Sequence, residues 1–414
     1  MTIGPTATSQ SNPATQESAS ATSERRRLCF VVTVGSTVQS LCRGRFEYFQ
    51  SRGYDVTVVC APTSLADDIR ARGVELHTAP LTRRISPLSD LRALWNLYRF
   101  FRRHSFDLIE VSTPKAALLG CLAGRMAGVG CLLHLLRGLS YQQQSGISGR
   151  LLTWSFMISC RLPHHLLSIS HFMMEQAVRD GMCSAGAIRV LGDGSSNGID
   201  LTRYRPEDAA RRRGIRTDHE IPESATVIGF VGRFTGDKGI GELLTAFTEI
   251  ARDREDVYLL MVGELEERDR PSDKHVSMLT DHPRIVSTGW QSDTAPFYHA
   301  MDLFVLPTHR EGFGTVLLEA AASACPIVTT KETGWWHPDE SEKTGLFVDV
   351  KDATGLAAAM RRLIDQPELR RHMGSAARER VERSYDNHRV WALQEAEFAR
   401  LIENGTRTSG SQGR

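Results

Sequence analysis

At 414 residues the chain exceeds what one ordinary hydrophobic core organises, and at roughly 150 residues per domain it divides into two or three. Its 50 Lys and Arg against 49 Asp and Glu leave a net charge of +1, so no global field draws it to nucleic acid. The eight cysteines, at 29, 42, 60, 121, 131, 160, 183 and 325, form no Cys-x-x-Cys pair, which excludes a readable zinc site and points to reduced, mostly buried thiols.

In chain order, residues 1–26 are Ser, Thr, Ala, Pro and Gln with few large apolar side chains, and they read as a disordered tail. Arg25-Arg26-Arg27 follows the polar tract and Leu28 to Val34 reads as a strand, so no secretory leader is expected and the chain reads as cytoplasmic. The apolar runs Ala116 to Ala123 and Leu151 to Cys160 fall short of the roughly 20 residues that span a bilayer, leaving only peripheral membrane contact.

A first domain over 27–196 is expected from alternating apolar runs and helical patterns. Leu28–Gly35, Asp55–Cys60, Leu108–Val111, Leu132–Leu136, Leu166–Ser170 and Ile188–Leu191 read as buried strands of one parallel sheet. Gly35-Ser36 closes the first strand but lacks Gly-x-Gly-x-x-Gly, so a dinucleotide site is poorly supported. Over 83–103, Leu88, Leu91, Trp95 and Tyr98 recur at helical spacing beside a second stripe of Arg92, Asn96, Arg99 and Arg103. This amphipathic basic helix reads either as a packed helix with a solvated arginine face or as a surface that lies on an anionic membrane. Lys115, after the strand ending at Val111, reads either as a phosphate ligand or as an exposed first-turn lysine. Arg137 follows the next strand and stays protonated, so it suits an anion rather than the role of a base. His134, two strand residues from that loop, reads as core.

A second domain over 197–384 repeats the alternation through Val227–Gly232, Tyr258–Val262, Ile285–Ser287, Leu303–Leu306, Ile327–Thr330 and Leu346–Val348. Two doubly wound α/β halves facing across a cleft follow, with ligands beyond the carboxyl ends of the strands, where Gly35, Arg137, Asn197, Arg233 and Glu311 fall. Arg233 and Lys238 flank a turn after the first strand of this series and can converge on one diphosphate. Glu311-Gly312-Phe313-Gly314 then opens a helix at Thr315, with Glu319 eight residues after Glu311. Glycines admit a close ligand, the helix start favours phosphate, Glu311 suits sugar hydroxyls and Glu319 a ribose diol, both carboxylates facing one mouth. That layout handles a nucleotide sugar. No Asp-x-Asp metal motif appears in this half. Trp335-Trp336 reads either as a stacking platform or as a shield for the domain edge. A helix over 385–404 and a polar tail over 405–414 end the chain.

Gly232-Arg233, Lys238-Gly239, Glu311-Gly-Phe-Gly and Glu319 together resemble the donor half of the retaining glycosyltransferases of family 4, which have the GT-B fold. Gly194 to Asp200 resembles that family's junction between halves, and Thr344-Gly345 its last donor-domain strand. Ser36 to Pro62 and Thr113 to Gly120 resemble the branch that builds capsule, exopolysaccharide and lipid-linked oligosaccharides; the likeness covers about residues 27 to 400. The resemblance implies transfer of a sugar, with retention, from a UDP-sugar (GDP-mannose being the alternative) to a hydroxyl of a glycan or polyprenyl-phosphate-linked acceptor at the inner face of the cell membrane. It implies Glu311, Arg233 and Lys238 as catalytic, and Gly35, Ser36, Asn197, Gly232, Gly312, Phe313, Gly314, Thr315 and Glu319 as donor-binding. Lys115 and Arg137 would bind the acceptor, no metal or cofactor would take part, the last helix would return to the first domain, and a hinge would lie near Asn197 to Asp200. Departures from the family are Glu110 and Ser112 where histidines are common, Arg137-Gly138 for His-Gly, and the two tryptophans. A same-fold epimerase or phosphorylase, or a non-catalytic sugar-binding subunit, would share these donor features.

Overall fold

The computed structural model describes Met1 and residues 25–82, 86–143, 146–206 and 208–411; most of the expected amino-terminal tail and residues 83–85 lie outside the described residues. The first sheet contains β1 (Arg26–Val31), β2 (Tyr54–Cys60), β3 (Glu75–Thr78), β4 (Leu108–Val111), β5 (Leu132–Leu136), β6 (His165–Ser168) and β7 (Ile188–Val190). Its order is β3-β2-β1-β4-β5-β6-β7, with every pairing parallel. The second contains β8 (Thr226–Val231), β9 (Val257–Val262), β10 (Ile285–Ser287), β11 (Leu303–Leu306), β12 (Ile327–Thr330) and β13 (Gly345–Val348). Its order is β10-β9-β8-β11-β12-β13, again parallel. Each sheet reverses its winding beside its first strand, which places a crevice at the carboxyl ends of β1 and β4 and of β8 and β11.

The continuous apolar runs arise because helices cover both faces. Along β1, Leu28 and Phe30 enter one core cluster while Cys29 and Val31 enter another, beneath helices Pro87–Arg103 and Pro114–Ala127. Strand β3 is absent from the sequence reading. Its Glu-Leu-His-Thr has no apolar run, because an edge strand with one partner leaves its side chains half exposed. Helix Pro87–Arg103 packs through Ala93, Leu97, Phe100 and Phe101, so the stripe of Leu88, Leu91 and Trp95 faces outward.

The last helix, Asn387–Ser411, lies on the first domain: the Phe398 ring stacks on Phe49 at 5.4 Å, and the Tyr48 hydroxyl donates to Glu395 Oε2 at 2.8 Å. It runs past the expected limit of 404, so 405–411 are helical rather than tail; extending an existing helix adds a hydrogen bond for each residue fixed. The chain therefore passes between the domains twice, and the two passages touch. Ile199 N–H donates to Tyr385 O at 2.8 Å and Asn387 N–H to Ile199 O at 3.1 Å. Gly198 is required there: its φ is +63°, and a Cβ would stand 2.6 Å from Tyr385 O.

Trp335 is fully buried, with the Arg380 guanidinium 4.2 Å over its ring, so it is part of the core and not a sugar platform. All eight cysteines are buried and unpaired. Among the described residues no helix is long and apolar enough to cross a membrane.

Candidate active site

The loops after β5, β8 and β11 meet between the domains. Arg137, Arg233, Asp237, Lys238, Arg310 and Glu311 line a cavity of about 170 Å³ there. Lys238 leaves a single 3-10 turn, Gly236–Lys238, whose position is fixed by Thr308 Oγ1 and His309 N–H donating to Asp237 O at 3.1 and 2.8 Å. Its ammonium pairs with Glu311 Oε2, and the Arg233 guanidinium pairs with Glu266. Burial alone would raise the Asp237 carboxyl, but a hydrogen bond from Thr235 and the charges of Lys238 and Arg233 hold it below the ordinary aspartate value. The catalytic candidates Glu311, Arg233 and Lys238 therefore share one space.

The first domain closes that space. Ser170 Oγ donates to Gly312 O at 2.7 Å, and Arg310 Nη1 donates to Gln142 O at 2.7 Å. A side chain at Gly312 would collide with the other domain, since a Cβ would stand 2.7 Å from Arg137 O. Arg310 and Asp237 were missed in the sequence; their adjacency to Glu311 and Lys238 was the signal.

Glu319 does not share that mouth. It lies on helix Thr315–Ala322 and lines, with Thr315, Asn197 and Tyr204, a second groove of about 520 Å³. The helix turns its carboxylate onto Tyr298 and Thr294, whose hydroxyls donate to Oε2 at 2.8 and 3.2 Å. Burial raises this carboxyl above the ordinary glutamate value, with the Tyr298 hydrogen bond acting against the rise.

Other expected site residues are used differently. Both ends of the Asn197 amide are engaged, Nδ2 donating to Arg43 O at 3.0 Å and Oδ1 accepting from Trp391 Nε1 at 2.9 Å, so it clasps the crossing chains. Phe313 is buried, with its ring 5.3 Å from Tyr385, and anchors the loop from below. Gly232 and Gly314 shape the chain beside Arg233 and ahead of the helix, and line neither space. Gly35 opens helix Gly35–Leu41 against the Thr63 side chain, and neither it nor Ser36 reaches these cavities, because β1 ends at Val31. Lys115 is held by Asp90 at 2.7 Å and Thr82 Oγ1 at 3.0 Å, which pins helix Pro114–Ala127 to helix Pro87–Arg103 rather than presenting a cation to the cleft. Arg137 alone of the two acceptor candidates faces the cleft; it also lines a third cavity, of about 290 Å³, with Thr37, Ser112, Thr113, His134 and Gly138.

Comparison with known proteins identifies the family. The family described as Glycosyl transferases group 1 matches residues 211–380, and the Glycosyl transferase 4-like domain matches residues 34–194. The capsular polysaccharide biosynthesis glycosyltransferase CapM of Staphylococcus aureus is 30% identical over 381 residues, 92% of this chain and 98% of that protein. The UDP-Gal:alpha-D-GlcNAc-diphosphoundecaprenol alpha-1,3-galactosyltransferase of Escherichia coli is 23% identical over 340 residues, covering 81% and 86%. The structure of Anabaena HepE in complex with UDP and glucose shares the fold at a TM-score of 0.72 and 17% identity, over 94% of this chain and 100% of that one. The chain belongs to the group 1 glycosyltransferases, with a 4-like first domain and the GT-B architecture.

Proposed function

We propose that the chain transfers a sugar, with retention at the anomeric carbon, from a UDP-sugar to a hydroxyl of a lipid-linked or polysaccharide acceptor in the assembly of a cell-surface glycan. The observation that carries the reading is the convergence of Lys238, Arg233 and Arg310 with Glu311 on one cavity beyond the carboxyl ends of the strands. As the sugar leaves, negative charge grows on the nucleotide diphosphate. Lys238, paired with Glu311, and Arg233, paired with Glu266, meet that charge. The step so drawn calls on no metal or organic cofactor. Glu311 holds Lys238 and accepts hydrogen bonds from the sugar, while Glu319, on the wall of the second groove, takes the ribose hydroxyls. Movement about the paired crossings near Ile199 and Tyr385 opens and closes the cleft and limits hydrolysis.

The UDP-sugar donor and the diphosphoundecaprenol acceptor are suggested by the name of the Escherichia coli relative, and the capsule by that of CapM. A lipid-linked acceptor puts the working enzyme at the cytoplasmic face of a membrane, and the outward stripe of helix Pro87–Arg103 supplies a contact surface. The direct test measures nucleotide release with an acceptor present. Glu311→Ala and Lys238→Ala should each lose at least about 100-fold in kcat, the scale for losing one electrostatic stabiliser, while melting as cooperatively as the parent. Normal turnover in both would remove these residues from the mechanism.

A further inference from the structure

Beneath the cleft lies a buried charge cluster with one positive charge too many. Arg45, from helix Arg45–Ser51, makes a two-pronged pair with Glu110, Nη1 donating to Oε1 at 3.0 Å and Nη2 to Oε2 at 2.6 Å. Both side chains are almost wholly enclosed, at 1% and 2% exposure, and the Arg45 guanidinium lies 4.8 Å over the Phe30 ring. Glu110 is therefore already satisfied.

Arg137, only 8% exposed, reaches the same carboxylate at 3.9 Å through Nη2, which among the described residues otherwise meets Cys42 Sγ at 4.0 Å. Its Nε and Nη1 have no hydrogen-bond partner among the described residues. Burial pushes this guanidinium below the ordinary arginine value, and Arg45 pushes the same way, whereas Glu110 and Cys42 oppose them. An arginine nonetheless stays charged in a protein, and a buried cation with unanswered N–H groups is costly unless something completes it. The space it lines shows what would. None of the lining residues described for the 290 Å³ cavity carries a carboxylate, while Thr37, Ser112, Thr113 and Ser140 bring hydroxyls. The His134 imidazole on the same wall, kept neutral by burial, adds no charge of its own. On its other side Arg137 borders the 170 Å³ cavity, whose described lining carries Arg233, Lys238 and Arg310 beside Asp237 and Glu311, with Glu266 pairing Arg233 from outside that lining.

We infer that Arg137, backed by the Arg45–Glu110 pair, is a binding residue for a phosphoryl group of the substrate, which supplies the anion that the buried cluster lacks. Arginine N–H groups suit phosphate oxygens, and the unanswered Nε and Nη1, on different edges of the guanidinium, each leave a donor for one. The inference rests on the transferase reading. The phosphoryl group belongs either to a phosphorylated acceptor in the 290 Å³ cavity or to the donor diphosphate in the 170 Å³ cavity.

The test uses the full chain, Arg137→Met and Arg137→Lys, with thermal melting and with titration of two probes, UDP and farnesyl diphosphate. Without probe, Arg137→Met should melt above the parent, because an unpaired buried charge gives way to an apolar side chain. It should bind one of the two probes at least tenfold more weakly, with Arg137→Lys falling between it and the parent. Loss confined to farnesyl diphosphate assigns the site to the acceptor, and loss confined to UDP assigns it to the donor. A variant that melts lower than the parent yet binds both probes unchanged would make Arg137 structural and overturn the inference, while parental UDP binding would leave the transferase reading standing. A parent chain that binds neither probe would overturn both.

Discussion

At the residue scale, what a side chain does here depends on what it finds opposite. Glu311, Arg233 and Lys238 could be picked out in sequence because glycines and charges close together in the chain mark a ligand loop. Lys115, Asn197 and Phe313 sit in equally suggestive places, but Asp90, Trp391 and Tyr385, which come from elsewhere in the chain, claim them. His134 shows the reverse case. It reads as core and is buried, with Nδ1–H donating to Ser159 O at 3.0 Å, yet its ring titrates far from normal. Burial lowers it from 6.5 to about 4, against smaller opposing effects of that hydrogen bond and of Glu110. The unfolded chain therefore binds a proton between those values that the folded chain refuses. Stability contributed by neutral His134 is fully present above pH 6.5 and is lost as pH falls toward 4, a total of order 3 kcal/mol. In urea titrations across that window, His134→Gln should show a shallower loss than the parent; parallel curves would mean that the ring is protonated in the folded state.

At the element scale, the amphipathic helix is the informative one. Its spacing left two readings open, and the packing separates its faces. Ala93, Leu97 and Phe100 fill the core, while Leu88, Leu91 and Trp95 stand outward at 78%, 64% and 55% exposure, beside exposed Arg92, Arg99 and Arg103. A solvated arginine face does not explain the outward apolar groups. The neighbouring surface repeats them. Helix Gly146–Arg161 exposes Leu151 and Trp154, and helix Pro114–Ala127 lies between the two. Apolar groups flanked by arginines suit the interface of an anionic bilayer, where each basic residue contributes about 1 kcal/mol. Reversing two of them, in Arg99→Glu with Arg103→Glu, should weaken co-sedimentation with vesicles containing anionic lipid by about tenfold or more, and Leu91→Glu with Trp95→Glu should do so even at high salt. Unchanged binding by both pairs would take this helix out of the membrane account.

At the scale of the whole molecule, the two domains are tied where the chain crosses between them. Tyr385 and Ile199 pair through their backbones, Asn197 bridges Arg43 and Trp391, and Gly198 admits the approach. An alanine at Gly198 would need a left-handed backbone and would press its Cβ onto Tyr385 O. We expect Gly198→Ala to lower stability by about 2 kcal/mol or more, visible as a fall in melting temperature, together with weaker protection from UDP because the cleft is set by the same crossing. A melting temperature equal to the parent's would show that the passages are not a structural joint.

Sequence alone determined the two series of buried parallel strands and the charged glycine loops at their carboxyl ends, because hydrophobic runs and glycine and charge spacing are written within a few adjacent residues. It missed β3, whose polar edge position leaves no such run. The tertiary structure alone decided which cations share a cavity, that Glu319 turns away from Glu311, and that Arg45, Glu110 and Arg137 meet under the cleft. Those facts depend on contacts between groups far apart in the chain, as with the 65 residues from Arg45 to Glu110, and on the direction each side chain takes once the helices have packed.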